Sequence, residues 1–266
     1  YARYGEDYWK DYPSECNSTI DADTIKTLLG RIMQYGYQGN LSLGWRSQND
    51  ADADKLAHMM ATQVLVWETV VGERDANFNH IDPGSADAVK SVYRTSHPLY
   101  SRFSAYYDSM EASVKKHTIV PSFMARSTGK AQTVELNWDG SRYAATLTDT
   151  NGVLSDYTFS SEQAGITFAT SGNTLTITAE AAPAETVTIS ATKNNTRKGV
   201  VVWSDGHYGP DGTMQDVVTY SATISDPVKA YLNLKVSYGS TKIVKTSEDG
   251  KVEGISFTIT GNGVNK

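Results

Sequence analysis

The sequence predicts an α+β multidomain chain, with a mainly helical head followed by an all-β, immunoglobulin-like sandwich. Apolar residues recur at helical spacing through the first half of the chain, and the period changes to two from about residue 131. Turn pairs such as Asp139-Gly140 and Asn151-Gly152 separate the later segments. We expect the head at 1–127, the sandwich at 128–237 and the first hairpin of a further module at 238–266.

Three segments of the first half carry helical spacing. The first follows Asp23, which can cap its start, and ends near Gly36. The second runs from Asp54 to Val71, and the third opens at Ser96-His97-Pro98 with a proline in its first turn. A shorter helical piece is expected at 86–93. The inward apolar positions are Ile25, Leu28, Leu29, Ile32 and Met33 in the first, Leu56, Met59, Met60, Val64, Trp67 and Val71 in the second, and Leu99, Phe103, Tyr106, Tyr107, Met110 and Val114 in the third.

Short segments of the second half alternate between apolar and polar residues or are rich in β-branched residues, which predicts strands. These segments are 133–138, 143–148, 174–178, 186–190, 200–203, 217–224 and 230–236. Their number and spacing are typical of an immunoglobulin-like sandwich. Two further strands, at 241–245 and 254–260, are expected to form the final hairpin around a Ser-Glu-Asp-Gly turn.

Gln63 is an uncharged amide within the apolar pattern of the second helix. Residues four apart stack along one side of a helix, so Met59, Gln63 and Trp67 are expected to form a line that points towards the core. A carboxamide in that position must find hydrogen-bond partners or be consumed chemically. A core glutamine satisfied by backbone groups is the plain alternative.

The sequence Thr62-Gln63, followed by Trp67, resembles the signature of the Cys-Gln thioester domains in surface adhesins of Gram-positive bacteria. The stretch Gly-Arg-Ile-Met-Gln-Tyr-Gly-Tyr at 30–37 and the segment Val-Pro-Ser-Phe at 120–123 agree with that family. The resemblance implies that the Gln63 side chain joins a cysteine sulfur as an internal thioester, with loss of ammonia. It also implies that Thr62 and Trp67 shape the site and exclude water from it. A thioester carbonyl reacts with amines far faster than an amide does, because a thiolate is a good leaving group.

Cys16 is the one cysteine of the 266 residues, so it is a candidate for the sulfur partner of Gln63. Its neighbours are polar and turn-forming, whereas the family's cysteine sits in a short apolar strand. The partner is therefore either Cys16 or a cysteine upstream of Tyr1. The alternative is that Cys16 is a buried cysteine with no chemical role, which would give the same count of one cysteine.

The final hairpin resembles the start of a collagen-adhesin B-type, prealbumin-like pilin module. Lys245 matches the lysine that forms an isopeptide bond in such modules, although the strand that would carry its asparagine partner is missing from this sequence. A solvated strand lysine is the alternative. Lys130 and Asn233, before the first sandwich strand and on the last one, are a second candidate isopeptide pair by topology.

The net charge of −6 provides no basic field for nucleic acid or an anionic membrane, and no apolar run approaches the length needed to span a bilayer. The resemblance implies an extracellular, cell wall-anchored adhesin. Its monomeric head would bond covalently to a lysine amine of a host surface or matrix protein. We expect no metal, no organic cofactor and no enzymatic turnover.

Two other classes of function stay open. A noncovalent carbohydrate- or protein-binding module would line a cleft with Trp45, Trp67 or tyrosines. An enzyme would use Cys16 as its nucleophile and one of five histidines as its base, but the sequence carries no recognised catalytic motif. His58 is expected to face solvent, and the set Asp54, His58 and Glu68 is too dispersed to predict a metal site.

Overall fold

The computed structural model describes residues 2–5, 19–39, 50–82, 89–204 and 216–236, and near the C-terminus residues 246, 248, 250, 253–254, 260–261 and 264–265. The chain divides into two compact units that are interleaved along the sequence. Unit 1 comprises Tyr1–Ile119 and Lys193–Val228, and unit 2 comprises Val120–Thr192 and Lys229–Lys266. These units differ from the expected boundaries at 127 and 237, because the segment from residue 193 to 228 associates with the helices.

The described residues form three α-helices, α1 (Ala22–Tyr35), α2 (Asp50–Val70) and α3 (Tyr100–His117). A short 3-10 helix at Val89–Val92 stands where a helical piece was expected at 86–93. The strands are β1 (Ala2–Tyr4), β2 (Thr133–Trp138), β3 (Tyr143–Thr148), β4 (Thr158–Ser161), β5 (Ile166–Ser171), β6 (Thr174–Ala179), β7 (Val187–Lys193), β8 (Thr196–Ser204), β9 (Val217–Ser225), β10 (Val228–Val236), β11 (Thr260–Gly261) and β12 (Val264–Asn265). None of the described helices is long and apolar enough to cross a membrane.

Helix α1 forms as its apolar spacing predicts, because all five expected inward positions are buried. Its N-cap is Asp21 rather than Asp23. The Asp21 carboxylate accepts a hydrogen bond from the backbone N–H of Thr24 at 2.7 Å, which satisfies one of the free donors of the first turn. Gly36 ends the helix, and its backbone N–H donates to the carbonyl of Ile32.

Helix α2 buries a different face from the one that its apolar spacing suggested. Met59, Gln63 and Trp67 are half-buried, and Val71 is 49% exposed. The fully buried positions are Ala57, Ala61, Thr62, Val64, Leu65, Val66, Glu68 and Thr69. Apolar residues occur on several sides of this helix, so its spacing could not decide which side faces the core.

The prediction of a mainly helical head is wrong, because unit 1 also contains the antiparallel sheet β1-β8-β9. Val200 and Val202 of β8 belong to the same buried core as the apolar faces of the three helices. Gly30 of α1 lies directly against the backbone of Lys198 in β8. The alternation of side chains within 196–225 predicts strands but not their position in the fold. Only their packing against the helices, which are distant in sequence, shows that they belong to unit 1.

Unit 2 is a mixed seven-stranded sheet with the order β4-β7-β10-β2-β3-β6-β5, in which β2 and β10 run parallel. The expected two-sheet immunoglobulin-like sandwich is therefore wrong. The sheet nearly closes on itself, because Phe159 of β4 and Phe168 of β5, its two outer strands, stack with ring centroids 5.9 Å apart. Buried side chains alternate along the central strands, with Leu175, Ile177 and Ala179 on β6 and Val228, Ala230, Leu232 and Leu234 on β10.

The seven strands that the sequence predicted between residues 133 and 236 all exist, but they do not share one sheet. Five of them lie in the seven-stranded sheet, and β8 and β9 lie in the sheet of unit 1. The sequence pattern did not predict β1, nor β4 and β5, which are rich in serine and threonine. Residues 241–245 and most of 254–260, which carry the expected hairpin and Lys245, lie outside the described residues.

Candidate functional site

Gln63 lies on α2 at the border between core and surface. Its chain neighbours Thr62 and Val64 are buried, whereas Gln63 itself is half-buried. Within the described part of the chain, its carboxamide makes no hydrogen bond. The alternative of a core glutamine held by backbone groups therefore finds no such partner among these residues. The side chain is partly shielded from water and has no hydrogen-bond partner among the described residues.

Thr62 connects α2 to the chain that follows α1. Its hydroxyl donates to the carbonyl of His58 at 2.9 Å and accepts from the backbone N–H of Tyr37 at 2.9 Å. Gly36 fits closely beside it, since a Cβ at Gly36 would lie 2.7 Å from Thr62 Cγ2. These contacts fix the backbone of residues 36 and 37 beside the turn of α2 that carries Gln63.

Two tyrosine rings pack against His58, one turn before Thr62. The imidazole lies parallel to the ring of Tyr106 at 4.2 Å, and the ring of Tyr37 meets it edge-on at 5.7 Å. The Tyr106 hydroxyl donates to Asp54 at 2.6 Å. Burial lowers the pKa of His58. The expectation of a solvent-facing His58 is wrong, because a tyrosine from α3 covers the face that helical spacing had left open.

The other residues proposed for the thioester are only partly described. Trp67 lies one turn beyond Gln63 on α2 and is half-buried. Cys16 and Trp45 lie outside the described residues, as does Lys245. The structure therefore brings Thr62, Gln63 and Trp67 together on one helix. The identity of the sulfur partner stays a prediction.

Lys130 and Asn233, the candidate isopeptide pair, both lie in unit 2. Lys130 is exposed at the end of the 3-10 turn Thr128–Lys130, and Asn233 is half-buried on β10. The Asn233 backbone N–H donates to Gln132, two residues beyond Lys130. Its side-chain oxygen accepts a hydrogen bond from the Thr188 hydroxyl at 2.9 Å. The isopeptide bond between the two residues stays a prediction.

A buried ionic network that the sequence pattern did not predict anchors the end of α2. The Glu68 carboxylate accepts hydrogen bonds from Arg74 Nε at 2.8 Å and Nη2 at 2.6 Å, and both side chains are fully buried. The guanidinium also reaches Tyr107 and Glu111 on α3. Burial and the neighbouring Glu68 raise the pKa of Tyr107. The sequence does contain a signal of this network. Glu68 lies inside an apolar helix, and the oppositely charged Arg74 follows it by six residues, just after the helix ends.

Glu68, Glu73 and His80 are the one group among the described residues with a metal-like clustering, since one possible ligand atom from each lies within 4.8 Å of the others. The Glu73 carboxylate accepts hydrogen bonds from the backbone N–H of Val89, at 2.9 and 3.1 Å. Glu68 is bound by Arg74. Both carboxylates therefore already accept hydrogen bonds from protein donors. These hydrogen bonds account for the close approach of the three side chains, and no metal ion is needed to explain it.

A second buried network joins residues that are far apart in the sequence. Arg31 Nε lies 2.7 Å from Asp226 Oδ2, and His117 Nε2 lies 2.8 Å from the same oxygen. The Tyr35 hydroxyl lies 2.9 Å from His117 Nδ1. Burial alone would raise the pKa of Asp226, but the close His117 ring and the hydrogen bonds from Arg31 outweigh it and hold that pKa well below its ordinary value. This cluster ties α1 and α3 to the end of β9.

No protein-family model matches the chain, and no curated protein matches it. Among solved structures, the chain is similar to the thioester domain of the Staphylococcus aureus TIE protein, with 20% identity and a TM-score of 0.40 over 89% of this chain and 75% of that one. It is similar to the Bacillus anthracis TIE protein, with 12% identity and a TM-score of 0.31 over 79% of this chain and 38% of that one. It is also similar to the thioester domain of the Enterococcus faecium TIE86 protein, with 13% identity and a TM-score of 0.23 over 78% and 70% of the two chains.

Proposed function

We propose that this chain is the adhesive part of an extracellular, wall-anchored surface protein, and that Gln63 supplies the acyl group of an internal thioester. Cys16, or a cysteine upstream of Tyr1, supplies the sulfur. The thioester then reacts with a lysine amine of a host surface or matrix protein and is replaced by an amide bond. The observation that carries the proposal is the half-buried carboxamide of Gln63, which makes no hydrogen bond to any described residue. It lies beside the hydroxyl of Thr62, which is hydrogen-bonded on both sides.

The chemistry has two balanced steps. In the first, the cysteine sulfur attacks the Gln63 side-chain carbonyl carbon, the C–S bond forms, the C–N bond breaks, and ammonia leaves with the thiol proton. In the second, a target amine attacks the same carbon, an amide forms, and the thiolate leaves and takes up the amine's proton. The protein is consumed in a single acyl transfer, which requires neither a metal nor an organic cofactor.

The position of Gln63 suits both requirements of a stored electrophile. The thioester must be shielded from water, and it must also open to an amine delivered at the right angle. Met59 and Trp67, one turn before and after Gln63, flank it with half-buried apolar surface. Thr62 holds residue 37 against the helix, so the backbone beside Gln63 is kept in one arrangement.

Intact-mass spectrometry tests the proposal directly. The protein is expected to weigh less than its sequence by one ammonia, and methylamine treatment is expected to convert this loss into a methylamine adduct. Thiol titration should show one additional free thiol after the same treatment. Gln63→Ala removes both changes, whereas the control Gln163→Ala, in an exposed turn of unit 2, retains them. Cys16→Ser has the effect of Gln63→Ala if Cys16 is the partner.

An isopeptide bond between Lys130 and Asn233 would also release ammonia, but methylamine does not reverse it. Asn233→Ala therefore distinguishes the two cross-links. It abolishes the ammonia loss that comes from the isopeptide bond and leaves the methylamine-sensitive loss from the thioester in place. A mass equal to that of the plain sequence, in protein that contains every native cysteine, refutes the covalent mechanism. The chain would then be a noncovalent carbohydrate- or protein-binding module.

A further inference from the structure

We propose that unit 1 carries a second, noncovalent site: the groove formed by residues 90–100, which binds an acidic saccharide. The groove is open to solvent and has a volume of about 580 Å³ between the 3-10 helix Val89–Val92 and the start of α3. This volume is within the range of small-ligand sites in proteins, about 300–1,000 Å³. The proposal uses neither Gln63 nor a cysteine, so it is independent of the thioester.

Two tyrosines give the groove an aromatic wall. Tyr93 stacks on Phe103 with centroids 4.3 Å apart, and Tyr100 lies 6.3 Å from Tyr93 at an interplanar angle of 24°. Phe103 is fully buried, so the wall is anchored in the core, while Tyr93 and Tyr100 are half-buried and line the groove. Rigid tyrosine rings provide contact area for the C–H faces of a sugar at a low entropic cost.

Two cationic residues, Lys90 and Arg94, line the groove in a chain whose net charge is −6. Lys90 Nζ is held 3.8 Å above the ring of Tyr107 and 3.8 Å from Asp108. Arg94 is exposed and forms no ion pair with any residue that the structure describes. Among the described residues, those that line the groove include no carboxylate. An available guanidinium favours a ligand that carries sulfate or carboxylate groups.

The backbone holds this lining in place through successive turns. The N–H of Tyr93 donates to Lys90 at 3.1 Å, and the N–H of His97 donates to Arg94 at 2.9 Å. Hydroxyl side chains of serine and threonine complete the surface. A preformed groove that combines aromatic rings, hydroxyls and cations matches a ligand with apolar ring faces, many hydroxyls and negative charge. An acidic saccharide has all three features, whereas an acidic peptide has no pyranose face for the tyrosines.

The probe for this site is a heparin-derived tetrasaccharide, titrated into the full chain by calorimetry. We expect saturable binding that weakens as salt is added. Arg94→Gln should weaken it about tenfold, since it removes one charge-assisted hydrogen-bonding group from an exposed position. Arg142→Gln, which removes an exposed arginine from unit 2, is the matched control and should leave binding unchanged.

Three results would overturn the proposal. They are the absence of saturable binding, an equal loss of binding in Arg94→Gln and Arg142→Gln, and binding of a tetraglutamate peptide as tight as that of the tetrasaccharide. The fully desulfated tetrasaccharide should bind more weakly than the sulfated one, and equal binding would count against the electrostatic part. Gln63→Ala should bind the tetrasaccharide like the wild type, so failure of the thioester mechanism leaves this test intact.

Discussion

The hydroxyl of Thr62 accepts a hydrogen bond from the backbone N–H of Tyr37 while it donates one to the carbonyl of His58. One buried side chain therefore satisfies two backbone groups, one within α2 and one in the chain that leaves α1. Gln63 is the residue after Thr62. The conformation of the chain at Tyr37 therefore affects the surroundings of the proposed acyl group.

Thr62→Val tests this coupling. Valine keeps the shape of threonine but leaves the Tyr37 N–H without its acceptor, so we expect a loss of about 1–3 kcal/mol in the free energy of unfolding. Thr62→Ser keeps the hydroxyl and should lose less. Urea unfolding followed by circular dichroism measures both variants. Equal stability of Thr62→Val and the wild type would mean that water replaces the hydroxyl at no cost.

Gly30→Ala should destabilise the protein although alanine favours helices. A Cβ at residue 30 would overlap the backbone carbonyl of Lys198 in β8, so α1 would have to move away from the sheet. Overpacking of this kind costs about 1–3 kcal/mol, more than the helix propensity gained. Gly129→Ala is the control, because its Cβ would meet no atom within 4 Å. Thermal unfolding of the two variants gives the comparison, and similar midpoints would contradict the close packing of α1 on β8.

Arg74→Met should be among the most damaging substitutions in unit 1. It leaves the fully buried carboxylate of Glu68 without its charged partner, and breaking a buried pair in this way costs about 3–5 kcal/mol. Lys55→Met removes the exposed member of a 3.9 Å pair with Asp52 and should change the free energy of unfolding by less than about 1 kcal/mol. Guanidinium unfolding curves distinguish the two outcomes. A small effect of Arg74→Met would contradict a strong stabilising role for this buried pair.

Asp226 should make the stability of the fold depend on acid pH. Its pKa is held below the ordinary value in the folded protein, so its stabilisation is complete above about pH 4 and is lost as the pH falls towards the folded pKa. Asp226→Asn should lose about 3 kcal/mol at neutral pH, because Arg31 and His117 lose their anionic partner. This variant should also show a shallower decline of stability below pH 4.

Asp23→Asn is the control for this pH series, since its carboxylate is exposed in the first turn of α1. Its stability should follow that of the wild type across the whole range. Unfolding free energies from urea titrations at several pH values provide the measurement. Parallel pH profiles for Asp226→Asn and the wild type would refute the assignment of acid sensitivity to this carboxylate.

The sequence alone located most of the elements of the fold. The five apolar positions of α1 are buried as its spacing predicted, and every expected strand from residue 133 to 236 exists. The motif Thr62-Gln63 identified a candidate site on a helix, and the structure shows this helix with Gln63 partly accessible. These results follow from patterns within about twenty residues, where backbone geometry fixes which side chains share a face.

Only the tertiary structure decided how those elements combine. It assigned β8 and β9 to the unit of the helices, joined seven strands into one nearly closed sheet, and turned the Met59–Gln63–Trp67 side of α2 to the edge of the core. It also paired Arg31 with Asp226, 195 residues away. Local periodicity marks a segment as helix or strand. Its partners depend on burial and hydrogen bonds between distant segments, whose free energy no short window of sequence contains.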